Sequence, residues 1–282
     1  MRNRLKARLL SARDREDVLA FLERDTLHNL HLLDLASRLG RPTAPGELEP
    51  QVLGAFEGRR IVGVLSLRPS LVVDSRIDEA MVDVWMPFLE VVPSGLMKSG
   101  WDEVTSLWER LAARGRNCLL DRGETAYVLT ADRIVKLDPP PGAKVRAAVG
   151  GDLGELVDAA RASLREEGRP DSFDSDLPSF RRWVDGRLPR ARVVEVDGQA
   201  LFVGYADVRR PEGWLVQGVY TFPGARRRGL AAAGMSAICQ EAFATGADHV
   251  QLAVVNGNGE AERLYERLGF EPFAQLRTVL FQ

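Results

Sequence analysis

Hydrophobic residues repeat at helical spacing near the start of the chain and at strand-like spacing soon afterwards. Residues 11–40 place apolar side chains every three or four positions and end at a glycine, which predicts one or two amphipathic helices. Two apolar runs then flank EGRR within residues 51–69, which predicts a β-hairpin. Residues 81–92 predict another strand, residues 98–115 predict a helix, and two short strands are expected before residue 137.

A proline-rich segment interrupts this pattern, and a similar order of elements begins again after it. Residues 138–144 read DPPPGAK, and successive prolines exclude both a helix interior and a central strand. We therefore predict one domain over residues 1–137, a linker over residues 138–143 and a second domain over residues 144–282.

The second half predicts a strand, two helices, three strands, a helix, a strand, a helix and a closing hairpin of two strands over residues 270–281. The first hairpin of this half is expected to turn at Asp197 and Gly198. Two segments of the first half resemble two segments of the second half at a shift of roughly 140 residues. The pairs are ARLLSARDREDVLAFL with VRAAVGGDLGELVDAA, and GAFEGRRIVGVLSLRP with EVDGQALFVGYADVRRP. We infer two copies of one fold, with chance agreement of two β-hairpins as the alternative.

The composition narrows the class of protein without indicating a function. The 282 residues suit two domains, and 45% hydrophobic with 28% charged residues is ordinary for a soluble globular chain. A net charge of -2 gives no bulk attraction to nucleic acid or to an anionic membrane, so neither is expected as a partner. No apolar run approaches the ~20 residues of a membrane span, and no secretory signal is recognisable.

The cysteines and histidines give no support for a metal site or a disulfide framework. Cys118 and Cys239 lie far apart in apolar sequence and are expected to be buried free thiols, which fits a cytoplasmic location. His28, His31 and His249 are expected to be structural residues, because no carboxylate cluster accompanies them.

The strongest chemical signal is PGARRRGLA at residues 223–231, between a predicted strand and a predicted helix. The first amides of a helix lack intrahelical acceptors, and the helix dipole adds positive potential, so this turn favours an anion. Gly229 allows close backbone approach, and the guanidinium groups of Arg226, Arg227 and Arg228 could bind phosphate oxygens. A diphosphate is the expected ligand, and a solvated charged corner is the alternative.

Two motifs in order, VYTFPGARRRGLA and then NGEAERLYERLGF, resemble the Gcn5-related N-acetyltransferase (GNAT) superfamily over residues ~144 to 282. Arg226, Gly229 and Ala231 fill the family's acetyl-CoA signature, Gln/Arg-x-x-Gly-x-Gly/Ala. The resemblance implies an α/β (α+β) fold, here two tandem domains that each have a mixed, mostly antiparallel sheet flanked by helices. It also implies that acetyl-CoA is the co-substrate.

The resemblance further implies roles for individual residues. The loop amides, including that of Leu230, would hold the CoA pyrophosphate, and the backbone of Val219, Tyr220 and Thr221 would pair with the pantetheine arm. Asn258 would lie by the cofactor. Tyr265 would stand near the CoA sulfur as general acid, with a core aromatic as its alternative role.

The sequence departs from the family pattern at the general base. Some members carry a glutamate where this chain has Ala253, so a base must be sought elsewhere. Asp207, Glu212 and Gln217 are weak candidates, since each is more simply a surface or substrate-positioning residue.

The predicted function is transfer of an acetyl group from acetyl-CoA to a primary amine of a small molecule, peptide or protein, by direct attack without a covalent enzyme intermediate. A non-catalytic acyl-CoA sensor is the alternative, and a nucleotide-binding module is disfavoured because no Gly-Lys-Ser/Thr element is present.

Residues 91–101, VVPSGLMKSGW, are taken as the first half's equivalent of the arginine loop and lack its spacing. That half is therefore predicted to be degenerate, with one cofactor per chain, and Trp85, Trp101 and Trp108 either line a domain interface or pack in its core.

Overall fold

The computed structural model describes residues 5–43, 47–170 and 176–282. The chain forms two compact units that are not consecutive halves. The first unit takes Met1–Thr43, Leu48–Thr125 and Ala274–Gln282, and the second takes Ala44–Glu47 and Ala126–Phe273. The last nine residues of the chain thus belong to the first unit. The division into a domain over residues 1–137, a linker and a domain over residues 144–282 stays a prediction.

The same order of ten elements occurs twice along the chain. The first series is β1 (Lys6–Leu9), α1 (Arg15–Leu22), α2 (Thr26–Ser37), β2 (Gln51–Glu57), β3 (Arg60–Arg68), β4 (Val72–Val73), α3 (Glu79–Leu89), β5 (Gly95–Gly100), α4 (Trp101–Ala112) and β6 (Cys118–Thr130). The second series is β7 (Ala143–Ala147), α5 (Leu153–Glu166), α6 (Leu177–Asp185), β8 (Ala191–Val196), β9 (Gln199–Arg210), β10 (Gly213–Thr221), α7 (Leu230–Ala244), β11 (His249–Val255), α8 (Gly259–Arg267) and β12 (Glu271–Phe281). The internal repeat inferred from the sequence is therefore present in the element order.

In the first unit, β1, β2, β3 and β4 form an antiparallel sheet in that order. A single parallel bridge, Leu71 to Met97, marks where β4 and β5 approach each other. The other edge of β5 pairs antiparallel with the C-terminal half of β12, from Leu276↔Gly100 to Phe281↔Gly95. The final strand of the chain therefore completes the sheet structure of the first unit.

In the second unit, β7, β8, β9 and β10 follow one another antiparallel, and β11 lies parallel to β10. The β8–β9 hairpin turns at Asp197 and Gly198, whose φ angles are 50 and 80 degrees, as a tight hairpin turn requires. The predicted turn is confirmed. The predicted hairpin over residues 51–69 is confirmed in the same way by β2 and β3.

Three sequence-based element predictions are wrong. Residues 81–92 were expected as a strand, but α3 covers most of them, because Val82, Trp85, Met86 and Leu89 repeat at helical spacing and form its buried face. The two strands expected before residue 137 are the single strand β6, and the closing hairpin over 270–281 is the single strand β12. The segment 270–281 contains no Gly or Asn that could form a hairpin turn.

Two of the tryptophans lie in the hydrophobic core of the first unit. Trp85 and Trp108 are buried and pack in one cluster with Val279 and Phe281 of β12. Trp101 is 43% exposed, and the guanidinium carbon of Arg277 lies 5.4 Å from the centre of its ring. Core packing therefore accounts for Trp85 and Trp108.

Helix α7 packs against β9 at a glycine in the second unit. A Cβ added to Gly234 would lie 2.2 Å from Cε1 of Phe202, whose side chain is fully buried. Such a distance is far inside van der Waals contact, so any side chain at this position would push the helix off the sheet. Gly234 therefore sets the distance between the sheet and the helix that follows the arginine loop.

We expect Gly234→Ala to lower the free energy of unfolding by about 1–3 kcal/mol, because the new methyl group overpacks a closed core. Urea unfolding of the full chain measures this difference. Gly154→Ala is the matched control, since Gly154 also lies in a helix but has open space around it. The control is expected to be neutral or slightly stabilising, and equal stability of the two variants would contradict the packing argument.

Within the described ranges, no helix has both the length and the apolar character needed to cross a bilayer.

Candidate functional site

The arginine loop joins β10 to α7 through an unusual backbone path. Strand β10 ends at Thr221, residues Pro223–Ala225 form a short 3-10 turn, and α7 begins at Leu230. Arg227 and Gly229 both adopt left-handed backbone conformations, with φ angles of 64 and 80 degrees. This backbone conformation is what favours glycine at position 229. Crowding is not the reason, because the space beside its Cα is open.

The loop presents a run of unpaired backbone donors. Among the described residues, the amides of positions 227 to 232 have no acceptor, and the first helical bond of α7 runs from Ala233 N to Gly229 O at 3.1 Å. Six successive N–H groups thus lack a partner where α7 begins, at the positive end of the helix dipole. This arrangement is suited to an anion with several oxygens, such as a phosphate.

Arg226 is bound to neighbouring residues through two of its three guanidinium nitrogens. Its Nη2 donates to both carboxylate oxygens of Glu166, at 2.8 and 2.7 Å, and its Nε donates to Thr221 O at 3.0 Å. Glu166 also accepts a 2.8 Å hydrogen bond from the Tyr220 hydroxyl. Desolvation opposes ionisation of Glu166, but the bonds from Arg226 and Tyr220 outweigh it and lower the pKa of the carboxyl. Arg226 therefore ties the loop to the end of α5.

The other two arginines differ from Arg226. Arg227 lies 3.2 Å from Glu260 in an ion pair whose two side chains are highly exposed. Exposed pairs of this kind are weak, so the contact can give way to an incoming anion. Arg228 is exposed and makes no hydrogen bond or ion pair with any residue that the structure describes. Its guanidinium is the loop's most available cation.

Strand β10 separates from β11 before it reaches the loop. The parallel register joins only Trp214 to Val250 and Leu215 to Gln251. Further along, β10 bulges around Gly218, whose φ angle is 60 degrees. The backbone of Val219, Tyr220 and Thr221 therefore has no registered β11 partner in the described chain, which leaves an edge where an extended ligand can pair.

Asn258 and Tyr265 both lie on α8, which follows β11. The Asn258 side chain accepts a 3.2 Å bond from the Ala261 amide and so caps the helix. Tyr265 is buried, and its ring meets Phe270 edge-on with the ring centres 5.7 Å apart. Its ring packs in the hydrophobic core with Leu268 and Phe270, as the alternative role of a core aromatic requires, and burial raises the pKa of its hydroxyl, which is protonated at neutral pH.

Asp207 and Glu212, the weak candidates for a general base, are both held by arginines. Asp207 accepts from Arg187 Nε at 3.1 Å and Nη2 at 2.5 Å, and Arg187 itself lies 3.9 Å over the ring of Tyr205. Glu212 accepts two bonds from Arg210, at 2.9 and 2.8 Å, which lower its pKa against the effect of desolvation. Glu212 also precedes β10, whereas the loop follows it, so the two are separated by a strand about 30 Å long.

Two ion pairs of the second unit were missed in the sequence. Arg187 neutralises Asp207, and Glu166 anchors Arg226, but each pair joins elements at long sequence separation. No local pattern marks such partners. Only the packing of α5 and β9 against β10 brings them together.

The first unit has a different segment at the position equivalent to the loop. Residues 91–101 were expected to correspond to it, but the element order places the equivalent segment at residues 74–78, between β4 and α3. The error follows from the misassignment of α3 as a strand. The segment reads DSRID, contains no glycine, and uses the Asp78 carboxylate to cap α3 by accepting from the Met81 amide at 2.9 Å. The N-terminus of α3 is therefore already capped by a carboxylate of the chain itself.

The cysteines and histidines have structural surroundings. Cys239 is buried as expected, but Cys118 is exposed at the start of β6, which corrects the prediction for that residue. His28 pairs with Asp25 at 2.8 Å, and His249 contacts Gln251 at 3.1 Å. Over the described ranges, no group of three or more His, Cys, Asp or Glu side chains is arranged to hold a metal ion.

Comparison with known proteins agrees with this geometry. The family model described as acetyltransferase (GNAT) family matches residues 155–270. A solved protein from Drosophila shares 15% identity at a TM-score of 0.75, over 97% of this chain and 98% of its own. A GCN5-related N-acetyltransferase from Sphaerobacter thermophilus shares 17% identity at a TM-score of 0.61, over 99% and 95%.

A tandem GNAT protein from the clavulanic acid biosynthesis pathway shares 15% identity at a TM-score of 0.58 and covers 98% of both chains. At these identities the structural likeness shows the fold. It confirms the predicted mixed α/β (α+β) architecture of two tandem GNAT-like domains. A comparison with curated proteins found no match.

Proposed function

Because residues 155–270 form a domain of the acetyltransferase (GNAT) family, we propose that this chain transfers an acetyl group from acetyl-CoA to a primary amine. The amine belongs to a small molecule, a peptide or a protein. Both cysteines are free thiols, which supports the further proposal of a reducing compartment such as the cytoplasm.

The observation that carries the proposal is the run of six unpaired amides at positions 227 to 232. A pyrophosphate offers several acceptor oxygens with negative charge, which matches both the donors and the helix dipole. Arg228 and, after release from Glu260, Arg227 would add charge-assisted bonds. The opening of β10 at Val219, Tyr220 and Thr221 is suited to an extended arm that pairs as a strand would.

Acetyl-CoA supplies an activated thioester, so the chain's own residues need only position the reactants and move protons. In our proposal Arg226 fixes the loop through Glu166, and Asn258 orients α8 by capping it. The neutral amine attacks the thioester carbonyl, the C–S bond breaks, and the Tyr265 hydroxyl donates its proton to the departing thiolate. The nitrogen gives up its extra proton to water, and water returns a proton to Tyr265. Asp207 serves to position Arg187 and the acceptor, because each of its oxygens accepts a bond from that arginine.

One observation favours a second candidate, a non-catalytic acyl-CoA sensor. Both carboxylates considered as bases, Asp207 and Glu212, are engaged by arginines, and Ala253 stands where some family members have a glutamate. Release of free thiol from acetyl-CoA in the presence of a panel of amines separates the two functions. Amine-dependent release above hydrolysis supports the transferase, and binding of CoA without such release supports the sensor.

We expect Tyr265→Phe to lower turnover by about 10²–10⁴-fold with little change in CoA affinity, because it removes the proton donor but leaves the loop intact. Steady-state kinetics with calorimetric CoA binding measures both quantities. Phe270→Leu is a control for packing, since Phe270 contacts the same ring. An unchanged rate for Tyr265→Phe, or equal losses in both variants, would remove the proposed role of Tyr265.

A further inference from the structure

The first unit contains a cavity of about 190 Å³ that the proposed function does not use. Its walls come from the α1–α2 region, the start of β3 and the residues that follow β4. Asp74, Asn29 and Ile61 line it with buried side chains, while Arg24 and Arg76 line it with exposed ones. Asp25 and Arg60 also line it, so the cavity is acidic and apolar in its interior, and its rim carries three arginines and one carboxylate.

Asp74 is the feature that points to a ligand. The residue is 1% exposed, and its Oδ1 accepts from the Arg76 amide at 3.2 Å. Its Oδ2 is buried and meets no donor at hydrogen-bond geometry among the described residues, although the Asn29 side chain lies near enough to lower the pKa of the carboxyl. A buried carboxylate oxygen without a donor is costly, so a ligand that supplies a charged N–H group gains an unusually favourable contact.

The rim provides the opposite charge. The guanidinium carbon of Arg24 lies 5.1 Å from the ring centre of Phe21, and Arg24 makes no ion pair within the described ranges. Arg76 approaches Asp25 only to 3.9 Å and is largely exposed. Both guanidinium groups keep N–H donors that an anionic group at the cavity mouth can use.

We propose that this cavity binds a short amino acid whose amine and acid groups lie at opposite ends, with the amine at Asp74 and the acid at Arg24 and Arg76. The size is appropriate, because an engineered cavity of about 150 Å³ holds benzene, so a ligand of about seven heavy atoms fits. Ile61 and Phe21 would contact the methylene chain between the two charges. The site lies wholly within the first unit, so the proposal stands or falls independently of acetyl transfer.

The test uses the full chain and γ-aminobutyrate as probe, with butylamine and butyrate as its two halves. Ligand-observed NMR titration is expected to show saturable binding of γ-aminobutyrate, and each half is expected to bind at least about tenfold more weakly. Asp74→Asn is expected to weaken binding by more than about tenfold, and Arg24→Ala by a similar factor. Asp158→Asn removes an exposed carboxylate of α5 in the second unit and is expected to change nothing.

Arg24 is on the surface, so Arg24→Ala tests the site without disturbing the core. Absence of saturable binding up to about 50 mM would overturn the proposal and leave a water on Asp74 as the simpler account. Equal binding by butylamine would overturn the role of the rim arginines. Undiminished binding by Asp74→Asn would overturn the role of the buried carboxylate.

Discussion

Replacement of Gly229 by glutamate is expected to abolish CoA binding. The substitution places a carboxylate beside six unpaired amides, where it competes with the pyrophosphate and repels it. It also forces an L side chain into a φ of 80 degrees, which glycine adopts without strain. Isothermal calorimetry with CoA measures the loss, and we expect a weakening of at least about 10²-fold.

A matched control separates the local effect from general strain. Gly246 has a φ of 87 degrees and open space around it, but it follows the C-terminal end of α7. Gly246→Glu therefore introduces the same charge and similar backbone strain at the far end of the same helix. CoA affinity that stays within a few-fold of the parent in Gly229→Glu, or that falls equally in both variants, would show that the loop does not bind the pyrophosphate.

Asp74→Asn is expected to remove part of the pH dependence of stability. Desolvation raises the pKa of Asp74 from 3.8 to about 6, although the amide of Arg76 works in the opposite direction. Between these two values the folded state holds a proton that the unfolded state releases, so stability falls as pH rises from about 4 to above 6. Asparagine cannot ionise, and the variant should lack this loss.

Urea unfolding of the parent and the variant at two pH values measures the effect. We expect the stability of Asp74→Asn relative to the parent to increase by about 2 kcal/mol between pH 4.5 and pH 8. Asp25 raises the pKa of Asp74 and Arg76 lowers it, so these neighbours must be kept. A constant difference between the two proteins at both pH values would mean that Asp74 ionises normally in the folded chain.

Local patterns in the sequence were sufficient for most of the second unit. The spacing of Arg226, Gly229 and Ala231, and the dipeptide Asp197-Gly198, each specify a backbone conformation through a few neighbouring residues. Helix α3 was misread because Val82, Val84 and Trp85 are common in strands, although their buried face repeats at helical spacing. Where propensity and periodicity disagreed, periodicity was the better guide.

The remaining features depend on contacts between distant parts of the chain. The loop was predicted from its spacing, but the tethering of Arg226 requires Glu166, which lies 60 residues earlier. The pairing of β12 with β5 likewise has no local signature, because any exposed strand edge can accept a strand of suitable pattern. Sequence reasoning therefore identified the arginine loop but not the residue that tethers it.

The membership of Ala274–Gln282 in the first unit has a consequence for how the protein is made. On the ribosome these residues are synthesised after the entire second unit, yet Val279 and Phe281 fill the hydrophobic core of the first. Asn117 and Gln282 also exchange two backbone hydrogen bonds, at 2.8 and 3.0 Å. Until translation reaches this strand, the first unit lacks two of its core side chains and the antiparallel partner of β5, so it completes its core only after the second unit has been synthesised.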